Sequence, residues 1–213
     1  WSLVIRERNG RTVRTLDELP ALPGEVVYDG RNDEGERLSE GEYFAELEVR
    51  YENGNRPSAQ SALFRVDLTA PRADVRADLS LFSPNGDESL DTVTIFQEAS
   101  QEERWAGTFL NQDGEVIREI IWSGVPATRF TWNGRQDDGR LAPDGAYTYS
   151  LSAVDRAGNR GSSSPVPIAI DTAESEVGVR AEFDAFSPNA DGRLDRQRLF
   201  VRFDRPELLD RYT

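Results

Sequence analysis

The chain has 213 residues, enough for one large domain or two modules of about 100 residues. It carries 39 acidic against 25 basic side chains, a formal charge of −14 spread along its length, which makes nucleic acid and anionic membrane poor partners. There is no cysteine, histidine or methionine, and every basic residue is arginine; thiol and imidazole nucleophiles, Schiff-base lysines and His/Cys metal sites are thereby excluded, leaving carboxylate chemistry.

Without cysteine the redox compartment is open. No apolar run approaches the roughly 20 residues needed to cross a bilayer. The chain begins at Trp1, which reads as an excised fragment or a processed product.

In chain order, Val26 and Tyr28 share one face of a short extended segment, and a Gly-containing turn follows. EYFAELEVRY has a period of two: Tyr43, Ala45, Leu47, Val49 and Tyr51 lie on one face, Glu46, Glu48 and Arg50 on the other. After the linker DLTAP, strands are expected near 74–82, 91–98, 104–111 and 115–121. Phe130 and Trp132 then share a face, and AYTYSLSAVD alternates again. The last strand of this set turns Val166, Ile168 and Ile170 inward; Pro165 and Pro167 on its other face cannot donate to a ladder, which predicts a sheet edge. No amphipathic helix is expected. Trp105 and Trp132, in phase with apolar neighbours, are expected in the core.

The chain repeats itself. Trp1 meets Trp105, an offset of 104, and the register holds without a gap: NGRTVR meets DGEVIR, YDGRNDEG meets WNGRQDDG, ENGNR meets RAGNR, Asp67 meets Asp171 and Phe82 meets Phe186. Matches at glycines, turn polars and apolar positions are what a shared backbone demands. About seven strands in about 100 residues predict an all-β chain of tandem immunoglobulin-like or fibronectin-like β-sandwich modules. The expected division is 1–71, the later strands of a partial module; 72–173, a complete module; and 174–213, the opening strands of a further one. Alternatively, 174–213 completes the sandwich begun by 1–71, within or between molecules.

The ordered combination FSPNGD, DGEVIR, WNGRQDDGRLAPDGAYTYSL and DRAGN in the central module resembles the FlgD-type immunoglobulin-like domain, and is similar to gliding-motility-associated C-terminal domains of Bacteroidetes. This resemblance implies a non-catalytic module of a larger bacterial envelope-associated or secreted protein. An extracytoplasmic location follows from it, with partners among other modules of the same protein and protein or polysaccharide at the cell surface. The family pattern SPNGDG is altered at Glu88 in the first copy and at Ala190 in the second.

The repeated decapeptides FSPNGDESLD and FSPNADGRLD space Asn85, Asp87 and Asp91, and again Asn189, Asp191 and Asp195, at i, i+2 and i+6. The first two positions echo a calcium loop. The fifth and sixth do not, being Ser89 and Leu90 or Arg193 and Leu194. The other reading is a turn in which Pro84 fixes the chain and the Asn and Asp side chains bond nearby amides, and the residue chemistry favours it. Asp67 or Asp171 from the linkers could join a shared interdomain calcium site, and Asp155 with Asn159 presents the same choice of metal or turn. Two further readings are carbohydrate or cell-wall binding, with Trp122 as a stacking platform, and glycoside hydrolysis by paired carboxylates about 5 Å or 6.5–9.5 Å apart. A non-catalytic spacer or presentation module ranks ahead of both.

Overall fold

The computed structural model describes residues 1–16, 24–174 and 176–203; the end of the expected third segment, 204–213, lies outside them. Among the described residues there are sixteen strands and no helix.

The first sheet is built from β1 (Ser2–Glu7), β2 (Thr12–Leu16), β3 (Gly41–Glu48), β4 (Ser58–Gln60) and β5 (Phe64–Val66). β1 lies between β2 and β3, and β4 and β5 follow one another along the far edge of β3. Ile5, Val13, Leu38 and Tyr43 form its small core.

The central module contains β6 (Ala73–Ala77), β7 (Leu81–Phe82), β8 (Val93–Ala99), β9 (Arg104–Leu110), β10 (Val116–Ser123), β11 (Arg129–Trp132), β12 (Gly145–Val154), β13 (Arg160–Ser162) and β14 (Val166–Ile170). One sheet runs β10-β9-β12-β14-β7, with β13 also on β12; the other runs β11-β8-β6. The inward residues of both sheets meet in one core, where Trp105, Trp132, Phe109 and Tyr149 are fully buried. Phe109 packs at a tilt against Trp132, with ring centroids 4.1 Å apart, and against Tyr149 at 4.6 Å, so aromatic packing as well as burial favours this core. Both tryptophans stand where their phase placed them.

β9, β10, β12, β13 and β14 repeat β1, β2, β3, β4 and β5 in order and pairing. At the start of β12, the Tyr147 hydroxyl donates to the Pro143 carbonyl at 2.5 Å; at the start of β3, Tyr43 donates to Ser39 at 2.9 Å. This is the tyrosine corner of immunoglobulin-like sandwiches, in duplicate. Beyond the central module, β15 (Val177–Ala181) and β16 (Leu199–Phe203) pair antiparallel.

Four expectations are corrected. The strand foreseen over 74–82 is two strands: the Asp78 carboxylate accepts from the Thr94 amide, and past this break the chain crosses from the three-stranded sheet to the six-stranded one. β3 stops at Glu48, since Tyr51 and Asn55 close a turn that leaves Tyr51 exposed. The stretch of Val26 and Tyr28 is no strand, whereas its copy at Phe130 and Trp132 is β11; β11 is held by β8, and among the described residues of 1–71 there is no counterpart of β8. Finally, β14 is an edge only in part. β7 pairs with it in parallel at Ala169 and Ile170, and only the end carrying Pro165 and Pro167 is left without that neighbour.

Candidate functional site

Both decapeptides fold alike. In the first, Asp91 accepts from the amides of Gly86 at 2.7 Å and Glu88 at 2.9 Å, Asp87 from Ser89 at 2.8 Å, and Asn85 Oδ1 from Asp87 at 3.1 Å. In the second, Asp195 accepts from Ala190 at 2.8 Å and Gly192 at 2.7 Å, Asp191 from Arg193 at 2.8 Å, and Asn189 from Asp191 at 3.1 Å. The Ser89 amide and the Asn85 carboxamide hold the Asp87 carboxyl below its usual range. All six candidate ligands thus bond the loop's own backbone amides, the pattern of nested Asx-turns.

The amides converge because two residues per loop take the left-handed conformation ahead of a third: Gly86 (φ 88°), Glu88 (φ 70°) and Leu90 (φ 53°), copied at Ala190 (φ 65°), Gly192 (φ 81°) and Leu194 (φ 52°). Each loop has one glycine where the family pattern has two, at opposite positions. The backbone follows the same path regardless, since the carboxylate bonds offset the cost of φ > 0 at Glu88 and Ala190. In the central module the loop also has a packing role. Phe82 is buried against Trp132, with centroids 5.5 Å apart, and Pro84 lies so close to Gly134 that a Cβ there would sit 2.8 Å from its ring.

The other expected ligands are likewise engaged. Asp67 accepts from the Thr69 amide and Asp171 from Ala173; Asp155 accepts both the amide and the side-chain nitrogen of Asn159 at 2.8 Å. Among the described residues no three acidic side chains are grouped to hold a metal; the carboxylates of each loop accept from backbone amides.

Asn159 reveals what the sequence reading missed. Its Nδ2 donates to the Asp67 carbonyl at 3.1 Å, and two residues on, Pro71 runs over β13 so closely that a Cβ on Gly161 would lie 1.9 Å from its carbonyl oxygen. The linker is thereby seated on the central module. A signal was available: Gly161 falls on Pro57 in the first copy, a glycine only where a linker crosses.

Trp122 is not an exposed platform. It is half-buried, 5.7 Å from Phe130 by ring centroids, and its ring fills the space over Gly107. Each described carboxylate with a resolved shift is held low. Examples are Glu103, bonded by Arg156, and Asp138, bonded by Arg140. A shallow cavity of about 520 Å³ on the outer face of the larger sheet is lined by Arg104, Glu119, Ser152 and Arg160.

Residues 99–157 match the FlgD Ig-like domain family. No curated protein matches the chain. Among solved structures it is similar to dimeric latent PorU from Porphyromonas gingivalis (15% identity, TM-score 0.39, 64% of this chain and 13% of that one). It is also similar to a tetra-tandem repeat from the extending region of a large adhesion protein (18% identity, TM-score 0.38, 86% and 44%), and to the amphioxus IgVJ-C2 molecule (12% identity, TM-score 0.31, 78% and 87%). The chain therefore spans well under two thirds of the first two. The matched residues run from the end of β8 to the turn after β12 in the central module.

Proposed function

We propose that the chain is a non-catalytic spacer or presentation segment of a larger bacterial envelope-associated or secreted protein, acting outside the cytoplasm. In this reading its units are 1–71, 72–173 and the opening of a further module at 174–213, and its two decapeptides are structural turns. The observation that carries it is the seated linker: Asn159 donates to Asp67 and Pro71 lies over Gly161, contacts that favour a set junction between successive units. Neighbouring modules of the same protein are its first partners, and protein or polysaccharide at the cell surface its outer ones. The acidic surface discourages nonspecific association.

The test is calcium calorimetry on the 213-residue chain with small-angle scattering in calcium and in chelator. The expected result is no heat of binding and one unchanged distance distribution. Calcium binding with a change in shape would overturn the turn reading, and a broad distribution of module distances in both buffers would overturn the spacer.

A further inference from the structure

The outer faces of the two copied sheets differ in charge. β3 turns Glu42, Glu46 and Glu48 outward, and each acid is neutralised in place: Glu46 pairs with Arg6 at 2.7 Å, Glu48 with Arg50 at 2.7 Å, and Glu42 with Arg8. At an offset of 104 the same positions on and beside β12 hold Ala146, Ser150 and Ser152, and the three arginines become Leu110, Gln112 and Val154. Every member of those three ion pairs is replaced by an uncharged residue in the central module. Two arginines stand on its outer face without an acid. Arg160 on β13 is the register partner of Val154, and Arg104 on β9 adjoins the Trp105–Ala153 pair, which sets it on the other side of Val154. Two strand spacings separate them, about 10 Å. Among the described residues neither guanidinium has a hydrogen-bond or ion-pair partner, and Glu103, the acid next to Arg104, is already bonded by Arg156. Arg56, the first-copy counterpart of Arg160, acts on the Glu48 carboxylate; Arg160 has Ser152 in that place.

These arginines line the cavity of about 520 Å³. Its floor is a row of small cross-strand neighbours, Ala106, Ser152 and Ser162. Val154, 49% exposed, stands between the guanidiniums. The one carboxylate in the lining is Glu119. It lies opposite Thr108 on β9, about 13 Å along that strand from Arg104. The cavity is therefore cationic at one end, carries hydroxyls and methyl surface along its floor, and has a single acid at the other end.

The backbone tells which kind of anion suits this face. β9 lies between β10 and β12, and β12 between β9 and the strands β13 and β14, so the main-chain groups of both floor strands are spent in ladders. A peptide that binds by adding a strand needs a free edge, and the floor of β9 and β12 presents none. What the face offers is two guanidiniums, which take carboxylates through paired N–H bonds, serine hydroxyls that exchange bonds with sugar hydroxyls, and the Ala106 and Val154 methyls for the C–H side of a sugar ring. We infer that the outer face of β9, β12 and β13 binds an acidic polysaccharide, a chain of uronic-acid sugars. Arg104 and Arg160 hold carboxylates of the chain, Ser152 and Ser162 bond its hydroxyls, and Glu119 accepts from hydroxyls at the far end. The first sheet cannot do the same, because its own acids already occupy its arginines.

The inference rests on the presentation reading for its setting and gives the outer partner a chemistry; the spacer geometry is read separately, by scattering, and stands if this face binds nothing. The test is calorimetric titration of the 213-residue chain with oligogalacturonate and, separately, oligomannuronate. The salt is set at about 0.15 M, where acids more than about 8 Å from the cavity are largely screened. The expected result is saturable binding of at least one of the two, and none of the same oligomer once its carboxyls are methyl-esterified. Arg104→Ser with Arg160→Ser should weaken binding about tenfold or more. Arg129→Ser with Arg193→Ser removes the same charge elsewhere and should leave it unchanged. Ser150→Glu with Ser152→Glu restores the acids that β3 carries at these positions and should abolish binding, with the central module still folded by its urea transition. No heat with either oligomer, equal binding of the methyl ester, or equal binding by the Arg104 and Arg160 variant would each overturn the inference. Tighter binding of polyglutamate of matched charge would overturn it too, by making the partner an acidic peptide.

Discussion

Tyr149 sits at the centre of the larger sheet and hands its only polar atom to Gln97, whose own Nε2 donates to the Ala127 carbonyl at 2.7 Å. Tyr149→Phe leaves the Gln97 oxygen buried without its donor. The central module should lose about 1–3 kcal/mol, read by urea unfolding. Burial holds the Tyr149 phenol well above its ordinary value, and burial with the Asp144 charge raises Tyr147 too. The folded state therefore keeps protons that the unfolded chain gives up. This stability is fully present below about pH 10 and declines as pH rises beyond it; Tyr149→Phe should make the alkaline decline shallower without abolishing it. Sequence phase placed Tyr149 inward, but not its partner: Gln97 is 52 residues away, a polar residue on the inner face of a strand in the other sheet.

At the scale of elements, β9, β10 and β12 pack through a fit of large against small. Gly107 has no side chain because the Tyr149 hydroxyl and the Trp122 ring occupy its place: a Cβ would lie 2.1 Å from Tyr149 Oη and 2.7 Å from the indole. Gly107→Ala should overpack the sheet and cost the central module about 1–3 kcal/mol, visible as a lowered urea midpoint with an unchanged slope. The first copy makes the reverse choice, Leu3 for Gly107 and Ala45 for Tyr149, so volume moves from one strand to its neighbour. Strand positions were legible from alternation alone, because a half-buried strand must alternate. The break at Asp78 and the parallel pairing of β7 with β14 were not, since both depend on which sheet the chain joins next.

For the whole molecule, the linker decides how the first sheet and the central module are tied. Asp67 and Pro71 rest on Asn159 and Gly161, and Arg72 lies immediately beyond. Gly161→Ala forces the Pro71 carbonyl away. Trypsin should then cut at Arg72 about tenfold faster, equivalent to about 1.4 kcal/mol of opening free energy, with the central module's own unfolding midpoint retained. Equal cleavage of the variant and the unaltered chain would show that the junction does not depend on this contact.

By itself the sequence determined the all-β class, the period of 104, the two buried tryptophans and the turns of the decapeptides. Each of these is written in local alternation, in glycine placement or in a direct copy elsewhere in the chain. Only the tertiary structure shows which amides the loop carboxylates accept, since i, i+2, i+6 spacing does not say which N–H groups the left-handed residues aim inward. It also decided that Trp122 covers Gly107, and that the linker crosses Gly161. Those contacts join residues from 15 to 92 positions apart, and no local pattern records a distance that arises only when the sheets have closed on one another.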